Sequence, residues 1–434
     1  MQNKNPPGRF FAGRLLIRFL SLLIAATLLA PGRAAAIGAE IRDSEIEAAL
    51  YDWALPLTNA AKIKNPKIHI LSDRTFNAFV ISGGDIFVNT GLLTKIESPA
   101  ELQAVLAHEV GHVALGHASK RQVRAQAELG RSLIMQALGL GLLAVNPAAA
   151  AAMVIGSAGV AAQGMMAYSR DDEREADNYA VKTLIKSGID PNALISVFQT
   201  MRSAAEDKIN PNLVGHPLTE ERIKNIKLQI QDAGAAPRKA KDKDRRLALI
   251  QAKLIGYLDS PERVKTLYPA GDKSDAALYA RAISRMKSDD LDLSKTGAKT
   301  LIARQPVNPY FHELLGDIEF KSGNYGAAIA AYQSAGPHDK PQIELAQALA
   351  LTERNLDGDR AKATFAAKRA ILTEPMPLAW WILAKADADR AEYYLAEYYY
   401  MMKDLPRAKG HAKKAVQTLP PDSPEYLKAK DILD

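Results

Sequence analysis

The string A-H-E-V-G-H places His108 and His112 four residues apart, with Glu109 directly after the first. On an α-helix that spacing stacks two side chains one turn apart on one side. Two neutral imidazoles so placed can both reach one Zn²⁺. Glu109 can face the water activated there and act as general base. The 434-residue chain has eight histidines and no cysteine. Thiolate ligands, disulfides, a cysteine nucleophile and a lipid-modified cysteine are therefore excluded, and a metal site must use His, Asp or Glu.

A catalytic zinc site needs a third protein ligand and one open position. His117 lies nine residues after His108, about 900° of helical rotation, so a continued helix carries it to the opposite side. It is expected to be a surface or packing histidine. The longer pattern with a third histidine fails, because Ala118 stands at its final His position. A second segment, S-R-D-D-E-R-E-A-D over residues 169–177, sets Glu173 and Asp177 four apart on another helix. Glu173 can give a metal an oxygen while Asp177 accepts a hydrogen bond from a ligand imidazole. Glu175 is the rival ligand; it points about 200° from Glu173, and spacing does not choose between them.

These residues need elements to hold them. Ser98 suits an N-cap, Pro99 the first helical position, and Glu101 completes a capping box. Leu102, Val105, Leu106 and Val113 then repeat at helical spacing. Upstream, Phe79 and Ile81 alternate before Gly83-Gly84, and Ile86 and Val88 alternate after it, which predicts a hairpin. An edge strand beside a metal site can bind an extended peptide by strand addition, so Asn77, Ala78, Phe79 and Val80 are candidate substrate-binding residues.

H-E-V-G-H followed by S-R-x-x-E-x-x-A-D resembles the peptidase family that includes the CAAX prenyl endopeptidases, HtpX and the periplasmic BepA-like proteases. The resemblance covers roughly residues 40–230, and the stretch from Asn77 to Leu93 is similar to the strand-turn-strand before that family's metal helix. It implies one Zn²⁺ per chain, with Glu173 as third ligand and Asp177 behind the ligands. G-H-P-L-T-E-E-R over residues 215–222 resembles a loop of the BepA-like proteases. By that analogy His216 gates the zinc or stabilises an oxyanion, with Arg222 shaping the same loop. The resemblance further implies a periplasmic zinc metalloendopeptidase in outer-membrane protein quality control, with unfolded or misassembled proteins as substrates and the assembly machinery as partner. The rival reading is a non-catalytic or self-inhibited chaperone or adaptor.

Composition frames the rest. With 47% hydrophobic and 24% charged residues the chain is globular rather than disordered. Residues 1–36 carry Lys4, Arg9, Arg14, Arg18 and Arg33 with no acid, then an apolar run from Phe19 to Ala30 and Ala34-Ala35-Ala36. That pattern describes a signal peptide cleaved near Ala36. Removing its five cations takes the formal +7 to +2, so no nucleic-acid partner is expected. Two apolar arms, Leu133 to Val145 and Ala148 to Met166, flank Asn146-Pro147. The thirteen residues of the first arm fall short of the roughly 20 of a spanning helix. A soluble helical hairpin is expected there, with peripheral membrane contact as its rival.

Residues 232–247 read as a charged linker. Beyond them Pro306, Pro341 and Pro375 recur at intervals of 35 and 34 residues, the tetratricopeptide period. Gly316 and Ala328 suit close helix approach, and Tyr325 and Tyr332 suit the groove between helices. Trp380, Trp381 and the tyrosines from Tyr393 to Tyr400 are expected to be mostly inter-helix core. The expected architecture is mainly α: a signal peptide (1–36), an α+β zincin-like protease domain with a small β-hairpin or sheet (37–231), the linker (232–247) and a tetratricopeptide-like helical solenoid (248–434).

Overall fold

The computed structural model describes residues 39–61, 63, 67–80, 85–117, 119–120, 170–206, 219–234, 244–336, 340–373 and 375–434. The segment 1–36, the apolar arms within 133–166, the turn 81–84 and His216 lie outside the described residues. The described chain is mainly helical with one small mixed sheet. It groups into two compact units, 39–41 with 47–248 and 42–46 with 249–434. Among the described residues no helix is long and apolar enough to cross a membrane.

In the first unit, β1 (Ala39–Ile41), β2 (Ile68–Ser72), β3 (Ala78–Val80) and β4 (Ile86–Asn89) form a sheet in the order β1-β2-β4-β3. β2 runs parallel to β4, and β3 lies antiparallel to β4 at the sheet edge, with Ala78 opposite Val88 and Phe79 opposite Phe87. The two predicted strands therefore pair, but Phe79 does not share a face with Ile86 and Val88. Side chains alternate along a strand, so Ala78, Ile86 and Val88 are buried on one face. Phe79 stacks on Phe87 at 5.0 Å on the other.

The helices of this unit are α1 (Ser44–Ala60), whose first turn through Ile46 groups with the second unit, the short α2 (Thr90–Leu93), α3 (Pro99–Ala114), α4 (Arg170–Lys186), α5 (Asn192–Glu206) and α6 (Glu220–Asp232). α3 is the central one, packed by α4, α5 and β3. Its start is built as expected: Ser98 is extended, Pro99 opens the helix, and the Ser98 hydroxyl accepts from the Glu101 amide. The Glu101 carboxylate reaches one residue further back than a capping box requires. It accepts from the Glu97 amide at 2.8 Å and from the Ser196 hydroxyl of α5 at 2.6 Å. Leu102, Leu106 and Val110 are fully buried.

The second unit continues helix by helix. α7 (Arg245–Leu258), α8 (Pro261–Leu267), α9 (Asp275–Lys287), α10 (Leu291–Arg304), α11 (Pro309–Lys321) and α12 (Tyr325–Ser334) are followed by α13 (Pro341–Arg354), α14 (Asp359–Thr373), α15 (Pro377–Ala386), α16 (Ala391–Met401), α17 (Leu405–Thr418) and α18 (Pro424–Leu433). The chain is helical from Arg245, so the end of the expected linker is already ordered secondary structure. From α9 onward each helix packs on the one before and the one after. This repeat-like arrangement is what a chain of helix pairs requires to bury its apolar faces. Gly316 of α11 lies against the ring of Tyr332, and a methyl group there would overlap that ring. Trp380, Tyr393, Tyr394 and Tyr398 are buried in the shared core, whereas Tyr400 is exposed.

One polar knot lies inside this second core. Lys253 Nζ meets Asp43 at 2.7 Å and both Glu45 and Glu313 at 3.3 Å. The Tyr279 and Tyr332 hydroxyls donate to Glu45 at 2.9 Å and to Asp317 at 2.7 Å. With more carboxyls than cations in a low-dielectric interior, burial pushes the Glu313 carboxyl up to about 8 and that of Asp317 up to about 6.

Candidate metal centre

The core of the first unit brings three candidate ligands to one point. His108 and His112, one turn apart on α3, direct their Nε2 atoms at each other at 3.0 Å. α4 packs on α3 and adds Glu173, whose Oε1 is 3.4 Å from His112 Nε2 and Oε2 3.5 Å from His108 Nε2. Donors at 2.0–2.1 Å from a tetrahedral zinc stand roughly 3.3 Å apart, so this triangle matches the set that such an ion takes. All three residues are buried. The surroundings of His108 also favour positive charge. Burial alone would lower the His108 pKa, but hydrogen bonds to Asp177 and Glu173 outweigh it and push it up to about 10.

Behind the triangle stands a second set of charges. Asp177, one turn after Glu173, lies 3.0 Å from His108 Nδ1. Arg222 donates to both Asp177 oxygens at 2.8 Å and reaches Glu173 Oε2 at 2.8 Å. Its position follows from local structure: the Thr219 hydroxyl caps α6 by accepting from the Arg222 amide, so the arginine projects from the first turn. The guanidinium also stacks over Phe198 at 4.9 Å. Burial would raise the Asp177 carboxyl, but Arg222 and then His108 hold it below its ordinary value. Arg222 itself is buried, and the carboxylates beside it offset that desolvation and raise its pKa.

Glu175, the rival of Glu173, is turned away to a half-exposed position, with Oε2 3.1 Å from His117 Nε2. The hydrogen bond from His117, then Lys120, holds its carboxyl below the ordinary value. His117 departs from expectation. Extrapolating α3 puts it on the far side, but the helix ends at Ala114 and Gly116 takes a left-handed φ of 67°. That turn, which a side chain would strain, returns the chain so that His117 Nδ1 lies 2.9 Å from His112 Nδ1. Of the surface and packing roles expected of it, His117 takes the packing one, with its ring fully buried.

A recess of about 40 Å³ opens beside His108 and Glu109. Asn77 and Ala78 of the β3 segment line it, with Phe76 and Leu92; α5 supplies Leu194, Val197, Phe198 and Met201. Of the four candidate substrate-binding residues, then, two face the recess. Phe79 faces the other side of the sheet, and Val80 is described only by its backbone in β3. The α5 wall was not anticipated. Its signal was present in the i, i+3, i+4, i+7 apolar spacing of residues 194, 197, 198 and 201.

Residues 40–230 match the model of peptidase family M48. The chain is 26% identical over 345 residues to the beta-barrel assembly-enhancing protease of Yersinia pestis, covering 76% of this chain and 70% of that one. It is 26% identical over 290 residues to the protein of that name from Escherichia coli (strain K12), covering 64% and 59%. A third similar protein is metalloprotease LoiP of the same strain, 31% identical over 170 residues, which is 38% of this chain and 61% of LoiP. The matched stretch thus spans less than two thirds of the last two relatives and slightly more of the first.

Proposed function

Because residues 40–230 are a peptidase family M48 domain, and hence a metalloprotease domain, we propose that this chain is an exported zinc metalloendopeptidase. Its proposed substrates are misfolded or stalled outer-membrane proteins in the periplasm. The observation that carries this reading is the buried triangle of His108, His112 and Glu173 with Glu109 beside it, opening on a recess under an edge strand.

His108, His112 and Glu173 would hold the zinc, which when bound would supply Lewis acidity and a lowered pKa for water. Glu109 takes the proton of the attacking water and passes it to the leaving nitrogen. Asp177 orients His108, and Arg222 neutralises Asp177 and Glu173 together, so the negative charge behind the ligands stays tolerable in a buried site. Substrate lies along β3, whose outer edge has no strand partner among the described residues. Backbone pairing there accepts an unfolded segment with little regard to its side chains. The apolar recess takes one side chain next to the scissile bond. His216 is assigned the oxyanion or gating role on the strength of its motif. The segment 1–36 exports the chain, and the second unit, read as tetratricopeptide-like repeats, docks substrates or assembly partners. The names of the relatives, beta-barrel assembly-enhancing proteases, support an outer-membrane setting.

Glu109→Gln tests the mechanism. Zinc content is expected to stay near one per chain while cleavage of an unfolded outer-membrane protein falls at least 10²-fold. Unchanged cleavage overturns the assignment. A zinc-loaded wild-type chain that cleaves nothing yet suppresses aggregation of the same substrate favours the adaptor reading instead.

A further inference from the structure

The two ligand imidazoles are backed differently. His108 rests on a buried carboxylate, Asp177. His112 rests on another imidazole: its Nδ1 is 2.9 Å from Nδ1 of His117, with the rings inclined at 70°. His117 Nε2 in turn is 3.1 Å from Glu175 Oε2, with Asp172 at 3.9 Å, and Lys120 lies 3.7 Å from Glu175 at the surface. The chain of contacts therefore runs from the metal triangle outward to a half-exposed carboxylate.

Donor and acceptor roles along this chain follow from its outer end. An ionised carboxylate only accepts, so His117 carries its proton on Nε2. A neutral ring protonated at Nε2 presents a lone pair at Nδ1. The partner of that lone pair, His112 Nδ1, must then be the donor, which leaves the lone pair of His112 on Nε2, facing His108 and Glu173. Glu175 thus sets, through one intermediate ring, the tautomer that a metal requires of His112.

Building on the metal-site reading above, we propose that His117 is the positioning residue of His112, accepting its Nδ1 proton and donating to Glu175 so that the ligand ring is held in the metal-binding tautomer and orientation. Gly116 belongs to the same device, because its left-handed turn delivers His117 to the ligand.

The test uses the full chain, stripped of metal and titrated with Co²⁺ against a chromophoric chelator. His117→Leu is expected to weaken Co²⁺ binding 10- to 100-fold and alter the visible ligand-field spectrum. His117→Asn, which keeps an acceptor near the Nδ1 position, is expected to restore affinity to within a few-fold. Glu175→Gln is expected to give a smaller loss, under tenfold. Thermal unfolding of the metal-free variants separates these effects from misfolding: the Asn variant at wild-type Tm with wild-type affinity supports the proposal. Wild-type affinity and spectrum in a folded His117→Leu chain overturn it. Equal loss in the Leu and Asn variants at unchanged Tm also overturns it, since the acceptor would then not matter. A Glu173→Gln chain with wild-type Co²⁺ affinity overturns the metal-site reading itself, a result distinct from either.

Discussion

Replacing Arg222 by methionine keeps the bulk of the side chain and removes the guanidinium that bridges Glu173 and Asp177. Both carboxylates are buried, and breaking a buried pair from one side costs about 3–5 kcal/mol because the remaining charge is uncompensated. A second route gives the same scale. The cheapest relief is for one carboxyl to take up a proton. From the ordinary Asp value of 3.8, holding it protonated at pH 7 costs about 4 kcal/mol, at roughly 1.4 kcal/mol per pH unit. At pH 5 the same protonation costs only about 1.6 kcal/mol. The signature is therefore a destabilisation near 4 kcal/mol at pH 7 that shrinks by more than half at pH 5. Wild type should behave oppositely. The Asp177 pKa is depressed in the fold, so its contribution is present above about 3.8 and is lost as pH falls through the folded value. Native-state hydrogen exchange of the α3 and α4 amides in metal-free chain, corrected for intrinsic rates, measures both. A cost under 1 kcal/mol at pH 7, or one equal at the two pH values, would refute the reasoning.

The second unit should show the opposite pH trend. Glu313 and Asp317 have raised pKa values, so the fold keeps protons that the unfolded chain releases. Its urea midpoint, followed by Trp380 and Trp381 fluorescence, is expected to fall as pH rises from about 4.5 to about 8; a rise would contradict the burial of that cluster. Gly316→Ala forces a methyl into the Tyr332 ring and should cost about 1–3 kcal/mol by the same urea assay, more than the roughly 1 kcal/mol that alanine otherwise gains over glycine in a helix. No loss would mean that α11 and α12 can separate freely.

Much of the site was legible in the sequence because it depends on local periodicity. The four-residue spacings of His108 with His112, and of Glu173 with Asp177, are helical repeats, and they hold wherever the helices form. The start of α3 was equally readable, since Ser98 and Pro99 act on their own neighbours. Even the interior of the helical array was foreshadowed: Gly316 and Tyr332 stood at positions where a close approach and a large ring complement one another.

What the tertiary structure alone decided concerns residues whose meeting depends on three-dimensional packing. Spacing left Glu173 and Glu175 as equals; the way α4 lies on α3 turned one into the triangle and the other to the surface. Extrapolated helix rotation sent His117 away, but one left-handed glycine ended the helix and brought it back to His112. Arg222 was tied to a loop by its motif. Packing adds what the motif did not show: its guanidinium pairs with two carboxylates on another helix, 45 residues earlier in the case of Asp177. The sequence by itself determines which side chains share a helix face, since that is a property of the backbone repeat; which faces meet, and hence which charges must be paired in the interior, is determined only when the helices pack and water is excluded.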